Sequence, residues 1–273
     1  MTYKKLLAAA SAAVVITTVV LGLVAGAAAV QAENAGPKPT VVLVHGGFAD
    51  ALGWDGVIKH LQDDGFPVIA PANPLRGAIE DSAYLASVLD TLSGPLVLVG
   101  ASEGGIVISN AAAMTQNAQN VRALVFVAAF IPDVGEPGLD LTPKPGSLIG
   151  PALQLHSCPV LSCPAGAELY VDPAEFRKVM TGDLPQDKAN VIAAAQRPVS
   201  LNVATEPSEF AAWRTVPSFA IVATQDNAIG TANELAMAQR AHAQTVEVQA
   251  SHFVMISQPE AVVSVIESAA GQR

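Results

Sequence analysis

The sequence predicts an α/β fold in which a mostly parallel β-sheet is covered by helices on both faces. Short apolar segments rich in β-branched residues alternate with segments whose apolar residues recur at helical spacing. The first strand-like segment, residues 40–44, is apolar along almost its whole length, which is typical of a strand buried on both faces. Regular alternation of strands and helices favours a parallel sheet.

The elements follow one another in order. Strands are predicted at residues 40–44, 67–70, 95–99, 121–130, 218–224 and 245–249. Helices are predicted near residues 54–61, 85–92 and 105–114, between the first four strands. Two later helices begin near Thr231 and Ser257, where a hydroxyl side chain is followed three residues later by Glu, the spacing of a capping box.

Residues 132–207 break this alternation. They are rich in proline, no strand is predicted in them, and helices are predicted at residues 173–181 and 186–196. The segment follows the carboxyl end of a strand, which is the edge where open α/β sheets bind their ligands. We therefore expect a small helical lid insertion above a functional site.

The N-terminal segment predicts export. Lys4 and Lys5 precede a long uncharged apolar run that ends near Ala32, as in a secretory signal, so residues 1–32 are predicted to be a signal peptide. The run is also long enough for an uncleaved membrane anchor, and both alternatives place the rest of the chain outside the cytoplasm. Residues 33–39 then form a linker, and residues 40–273 a single domain.

The net charge limits the kinds of partner that we expect. The net charge of −10 argues against nucleic acid, because an acidic surface repels phosphates. Contact with a membrane is expected only if the N-terminal segment is uncleaved.

Cys158 and Cys163 predict a short-loop disulfide in an exported protein, with free thiols as the alternative. Two thiols with one nearby histidine, His156, are too few ligands for a metal, so no metal is expected.

The segment Gly100-Ala-Ser-Glu-Gly104 follows the third strand and precedes a helix. A serine between two glycines at a strand-to-helix turn is the pattern of a nucleophile elbow, which exposes the hydroxyl at the carboxyl edge of the sheet. Ser102 is therefore the candidate nucleophile.

A serine needs a base and an acid that orients the base. Asp226 follows the fifth strand and His252 follows the last, so both are expected at the same sheet edge as Ser102. Asp133, just past the fourth strand, is an alternative acid. The histidines at 45, 60, 156 and 242 are assigned other roles, because they lie off the late strand ends.

The loop after the first strand supplies candidate oxyanion donors. It reads His45-Gly-Gly-Phe48, and glycine lets a substrate approach the backbone closely. The amide of Gly47 is the first choice, Phe48 the second, and the amide of Glu103 supplies the other donor. The Glu103 side chain either enters the pocket, where its charge would act on His252, or points away as a charge at a helix start.

Together these motifs resemble those of small α/β-hydrolases of the lipase, esterase and cofactor-free haloperoxidase type. The resemblance covers residues 37–273, and residues 44–50 and 71–76 are similar to a bacterial subgroup related to plant methylesterases and hydroxynitrile lyases. The sequence departs from that family in two ways. The antiparallel strands that often open the fold are missing, and Ala101 and Glu103 stand where elbows commonly carry histidine and an aromatic or aliphatic residue.

The expected function is that of an exported serine hydrolase, a carboxylesterase that cleaves a small or medium apolar ester through an acyl-enzyme. No cofactor is expected, and the expected partner is the small-molecule ester. One alternative is hydroxynitrile lyase-like C–C cleavage, although no lysine accompanies the late histidine to hold cyanide. Another is a non-catalytic binding protein on the same fold.

Overall fold

Six parallel strands form the central sheet of the protein, whose computed structural model describes residues 37–142, 146–159, 163 and 165–271. The strands in this part of the chain are β1 (Thr40–Val44), β2 (Val68–Ile69), β3 (Leu96–Ser102), β4 (Val121–Ala129), β5 (Leu153–Ser157), β6 (Ala167–Val171), β7 (Val199–Ser200), β8 (Ser218–Ala223) and β9 (Gln244–Val248). The central sheet has the order β2-β1-β3-β4-β8-β9. This confirms the predicted fold class, and all six predicted strands are present.

Helices cover both faces of this sheet. The α-helices of the described residues are α1 (Asp55–Asp63), α2 (Ala78–Leu89), α3 (Gly104–Met114), α4 (Ile149–Ala152), α5 (Pro173–Met180), α6 (Gln186–Ala194), α7 (Leu201–Thr205), α8 (Thr231–Arg240), α9 (Val254–Ser257) and α10 (Pro259–Ala270). Short 3₁₀ turns occur at Ala51–Trp54, Ala118–Asn120, Gly138–Leu141 and Ala212–Arg214.

Alternate side chains of the inner strands β1, β3, β4 and β8 enter different cores. Val41 and Leu43 of β1 pack with α1 and α10, whereas Val42 and Val44 pack with α2, α3 and α8. Burial on both faces explains why these strands are continuous apolar runs. Each run ends at the same edge of the sheet, where the loops carry the candidate site.

The lid contains strands as well as helices. β5, β6 and β7 form a three-stranded antiparallel sheet, in which Leu155 of β5 pairs with Leu169 of β6, and Leu169 with Val199 of β7. The predicted helices are present as α5 and α6, but the expectation that residues 132–207 hold no strand is wrong. β5 is largely exposed and β7 has two residues, so neither produces the apolar run by which a strand is predicted.

Neither predicted capping box forms. The residue that precedes α8 is Gly230, which has no side chain to cap the helix. The residue that precedes α10 is Gln258, whose side chain forms no capping hydrogen bond. Thr231 and Glu234 instead bind the end of β8: the Thr231 hydroxyl donates to the carbonyl of Ala223 (2.8 Å), and Glu234 Oε2 accepts from its N–H (3.1 Å). The spacing predicts a local contact, whereas the hydrogen bonds that these side chains form are tertiary.

Residues Pro39–Arg273 form one compact unit, which begins close to the predicted domain start. The predicted signal peptide or anchor lies outside the described residues. Within the residues that are described, no helix is both long and apolar enough to cross a membrane.

Candidate active site

The turn after β3 holds Ser102 in a strained conformation. Its φ is +52°, a left-handed value that costs a non-glycine residue on the order of 1–3 kcal/mol. The glycines around it allow the close approach that the turn requires. A Cβ at Gly100 would lie 2.4 Å from the carbonyl oxygen of Gly104, and a Cβ at Gly104 would lie 2.5 Å from that of Val44. These contacts explain the spacing of glycines in the motif, because any larger residue would push α3 away from the sheet.

Gly105→Ala provides a test of this packing. A Cβ at Gly105 would lie 2.2 Å from the carbonyl oxygen of Phe130, a backbone atom that cannot move aside cheaply. We expect the substitution to lower the free energy of unfolding by about 1–3 kcal/mol or more, as measured by urea denaturation. Gly53→Ala is the matched control, because a Cβ at that position would meet no atom of the described residues within 4 Å. Equal urea midpoints for the two variants would show that the elbow tolerates expansion.

Ser102, His252 and Asp226 form a continuous hydrogen-bonded chain. His252 Nε2 lies 2.9 Å from Ser102 Oγ, and His252 Nδ1 lies 2.6 Å from Asp226 Oδ2. Both His252 and Asp226 are buried, at 1% and 4% exposure. With the Nδ1 proton donated to the carboxylate, Nε2 is left unprotonated and can accept the proton of the serine hydroxyl. The loops after β3, β8 and β9 thus bring together the three residues predicted from the strand ends.

The environment of Asp226 keeps its carboxylate charged. Burial raises its pKa, but the neighbouring imidazole of His252 and the hydrogen bonds it receives outweigh that effect, so the pKa is lowered. Asp226 Oδ1 accepts from the amides of Ala228 (2.5 Å) and Ile229 (3.1 Å). These amides fix the carboxylate in the orientation that His252 needs.

Glu234 is a second buried acid at this point, and its relation to Asp226 was missed from the sequence. Burial raises the pKa of Glu234 well above its usual range, and the charge of Asp226 raises it further. The carboxyl group of Glu234 lies beside Asp226. Its Oε2 accepts a hydrogen bond from the amide of Ala223, and its Oε1 is buried with no hydrogen-bond partner among the described residues. The one signal for Glu234 in the sequence is its spacing from Thr231, and that spacing predicts a helix cap.

Asp133, the alternative acid, lies in a different environment. Its carboxylate forms an ion pair with Arg214 at 2.6 Å, and this hydrogen bond lowers its pKa. Because the Nδ1 of His252 is occupied by Asp226, the structure gives Asp133 a surface contact and gives Asp226 the contact with the imidazole.

The loop after β1 packs directly against the elbow. A Cβ at Gly46 would lie 2.5 Å from Ser102 Cβ and 3.2 Å from the amide nitrogen of Glu103, so only glycine fits there. Gly47, Phe48 and Glu103 line the same cavity as Ser102. Among the described residues, the amides of Gly47 and Glu103 donate to no other protein group, which leaves both free for a ligand oxygen.

The cavity above Ser102 is almost entirely apolar. It encloses about 680 Å³ of space between atoms, its open mouth included. Thr142, His252, Ser102 and Glu103 are its polar lining residues. The lid contributes a large part of its apolar wall, namely Leu139, Ile149, Leu153, Leu169, Met180, Val199, Val203 and Ala204. The sequence predicted a lid at this place but none of these wall residues, because periodicity does not show which side chains of the lid face the cavity.

Cys158 and Cys163 are both buried, and their pairing remains a prediction. Their Sγ atoms and a carboxylate oxygen of Glu168 lie within 4.8 Å of one another, the one such group of metal-ligand atoms found in the described residues. The guanidinium of Arg76 already binds Glu168 at 2.5 Å. A cation bound to the carboxylate disfavours a metal ion at the same place, so the set does not fit a metal centre.

Comparison with known proteins identifies the family. Residues 41–265 match the model of the alpha/beta hydrolase family. The chain belongs to the alpha/beta hydrolase family. This membership agrees with the sheet order and the elbow, and it makes hydrolase the functional class of the chain.

Individual relatives are more distant. The chain is 26% identical over 253 residues to the probable hydrolase R7 of Phoma sp., a match that covers 86% of this chain and 99% of the relative. It is similar in structure to a pyrethroid hydrolase from Sphingobium faniae JZ-2 (TM-score 0.70, 22% identity, 85% of this chain and 97% of that one). It is also similar to polyneuridine aldehyde esterase (TM-score 0.69, 20% identity, 85% and 98%). At these identities the structural likeness shows the fold.

Proposed function

We propose that this member of the alpha/beta hydrolase family is an exported serine carboxylesterase that acts on small or medium apolar esters. The observation that carries the proposal is the hydrogen-bonded chain from Ser102 through His252 to Asp226 at the base of an apolar cavity. Two of the similar structures are named a hydrolase and an esterase, which supports ester hydrolysis as the reaction class.

The geometry supports a two-step reaction. Ser102 Oγ attacks the ester carbonyl carbon as His252 Nε2 takes its proton, and the tetrahedral intermediate collapses when the imidazolium protonates the leaving alcohol. Water then attacks the acyl-enzyme, gives its proton to His252, and releases the carboxylic acid and free Ser102. The carboxylate of Asp226 stabilises the imidazolium in both steps.

The negative oxygen of each tetrahedral intermediate requires donors. The amides of Gly47 and Glu103 are the proposed pair, because both border the cavity beside Ser102 and, within the described structure, both are free to donate. Removal of one oxyanion donor typically costs about 2.7–4 kcal/mol of transition-state stabilisation. Their fixed position beside Ser102 would supply a large part of the rate enhancement.

The lining of the cavity supports an apolar substrate. Each apolar carbon that leaves water for such a wall contributes favourably, at about 0.8 kcal/mol per buried CH₂ group. The described wall carries no lysine or arginine that would neutralise a substrate carboxylate. We therefore propose an uncharged ester whose acyl or alcohol part is aliphatic or aromatic.

Labelling and turnover test the proposal. We expect a fluorophosphonate probe to label Ser102 stoichiometrically, as located by peptide mass spectrometry. We expect kcat/KM for p-nitrophenyl hexanoate to exceed that for the acetate, because the longer chain buries more apolar surface. An unlabelled wild-type protein would refute the serine mechanism, and a preference for the acetate would refute the apolar substrate class.

A further inference from the structure

The side chain of Glu103 is a buried acid next to the nucleophile, and the proposed reaction does not use it. The residue is 4% exposed. Its Oε2 accepts a hydrogen bond from Asn73 Nδ2 at 2.6 Å. Its Oε1 is buried and has no hydrogen-bond partner among the described residues. A polar group in this situation is costly to bury, so the contact with Asn73 requires an explanation.

Asn73 connects Glu103 to the loop that carries the proposed oxyanion donor. The same Nδ2 that donates to Glu103 also donates to the carbonyl of His45 at 3.0 Å. The backbone N–H of Asn73 donates to His45 Nε2, also at 3.0 Å. Asn73 therefore binds the residue two positions before Gly47 by its backbone and by its side chain.

His45 extends this network by one further bond. Because Nε2 accepts from Asn73, the ring proton is on Nδ1, which donates to the carbonyl of Gly46 at 2.9 Å. Burial lowers the pKa of His45, which favours this neutral form. The orientation of the peptide that precedes Gly47 is thus fixed by hydrogen bonds that lead back, through Asn73, to Glu103.

The elbow and the loop after β1, which together form the proposed oxyanion site, need such a link. Gly46 touches the elbow through van der Waals contacts, which resist compression but do not prevent separation. The amide of Glu103 belongs to the elbow, whereas the amide of Gly47 belongs to the loop after β1. A displacement of about 1 Å between groups of this kind can cost about 100-fold in rate.

The charge state of Glu103 suits a structural link. Burial raises the pKa of Glu103 well above its usual range, and the nearby carboxylate of Asp81 raises it further, while the hydrogen bond from Asn73 lowers it. Asp81 and Asn73 are the neighbours that act on its carboxyl group, and neither supplies a positive charge. A neutral carboxyl group also avoids an unfavourable negative charge beside the developing oxyanion.

We propose that Glu103 is a positioning residue whose carboxyl group, through Asn73, fixes the loop of Gly46 and Gly47 against the nucleophile elbow. The inference rests on the proposed esterase function. It assigns a role to Glu103, one of the two residues at which this sequence departs from related elbows, and it places Asn73 in the same unit.

Two substitutions at Glu103 test the role. Glu103→Leu removes the acceptor, and we expect kcat to fall by about 10- to 100-fold while KM stays within about threefold. Affinity for an alkyl trifluoromethyl ketone, which forms an oxyanion on Ser102, should fall in proportion to kcat/KM. Glu103→Gln keeps an acceptor for Asn73 and should restore most of the lost kcat. A purely structural role would lower the melting temperature of Glu103→Leu without this selective loss of oxyanion binding.

A third variant keeps the test decisive if Glu103→Leu does not fold. Asn73→Ala breaks the same link from its other end, and the same loss of kcat and of ketone affinity is expected. Where the double variant folds, it should lose no more than either single variant, because groups that act as one unit are non-additive. Folded variants with unchanged ketone affinity would overturn the inference, as would a Glu103→Gln variant as impaired as Glu103→Leu. Wild-type turnover and labelling are measured first, so failure of the esterase proposal is recognised separately.

Discussion

Ser102→Ala is expected to reduce kcat for p-nitrophenyl ester hydrolysis by about 10⁶-fold, since loss of the nucleophile in serine hydrolases removes nearly all acyl transfer. The substitution removes the Oγ that lies 2.9 Å from His252 Nε2, and no other hydroxyl borders that nitrogen in the described structure. Steady-state hydrolysis and phosphonate labelling measure the effect. The fold should persist, because alanine is smaller than serine and tolerates the same backbone.

Ser109→Ala is the matched control for this variant. Ser109 lies in the same elbow helix, is fully buried, and its hydroxyl has no hydrogen-bond partner among the described residues. We therefore expect unchanged hydrolysis and labelling. Residual activity of Ser102→Ala close to that of Ser109→Ala would mean that another residue or a water molecule attacks the ester.

Asp226→Asn is expected to reduce kcat by about 10⁴-fold, because it reverses the tautomer of the base. With Asp226 Oδ1 held by two amides, the asparagine oxygen occupies that position and its NH₂ group faces His252 Nδ1. The imidazole then carries its proton on Nε2 and cannot accept the serine proton. Hydrolysis rates measure the loss, and thermal unfolding checks that the variant is folded.

Asp133→Asn makes the same chemical change at the other strand-end aspartate. Its carboxylate pairs with Arg214 at the surface, so we expect hydrolysis to be unchanged and stability to change by less than about 1 kcal/mol. If Asp133→Asn were the inactive variant instead, the acid would have to be reassigned from Asp226 to Asp133.

Features set by local pattern were predictable from the sequence. The inner strands β1, β3, β4 and β8 are buried on both faces and therefore read as apolar runs, and parallel strands end at one edge. These facts were enough to place Ser102 and Asp226 in one region. His252 follows the edge strand β9, which is largely exposed and was predicted from the shorter segment 245–249. The glycines of the elbow were predictable for the same reason, since their spacing follows from the turn itself.

Features set by tertiary contact were not predictable. Glu234 has the spacing of a helix cap, yet its carboxyl group lies beside Asp226 and accepts a hydrogen bond from the end of β8, outside its own helix. The sequence left two orientations of the Glu103 side chain open. In the structure its carboxyl group accepts a hydrogen bond from Asn73, 30 residues away in the chain. The lid strands lack an apolar period because β5 faces solvent. In each case the environment of the side chain is set by residues outside its own helix or strand, and periodicity carries no information about them.

The two ends of the lid meet where it joins the sheet. Gly135 N–H donates to Ser208 O (2.8 Å), Ser208 N–H donates to Glu136 O (3.0 Å), and Pro137 forms a bridge with Pro207. The lid thus leaves the rest of the domain and returns to it at the same place, where its two ends are hydrogen-bonded to each other. Under the proposed function, the side chains of the lid that line the cavity would select the substrate, whereas Ser102, His252 and Asp226, which would break the ester bond, lie outside the lid. Replacement of the lid alone would then change the accepted ester and leave these three residues in place.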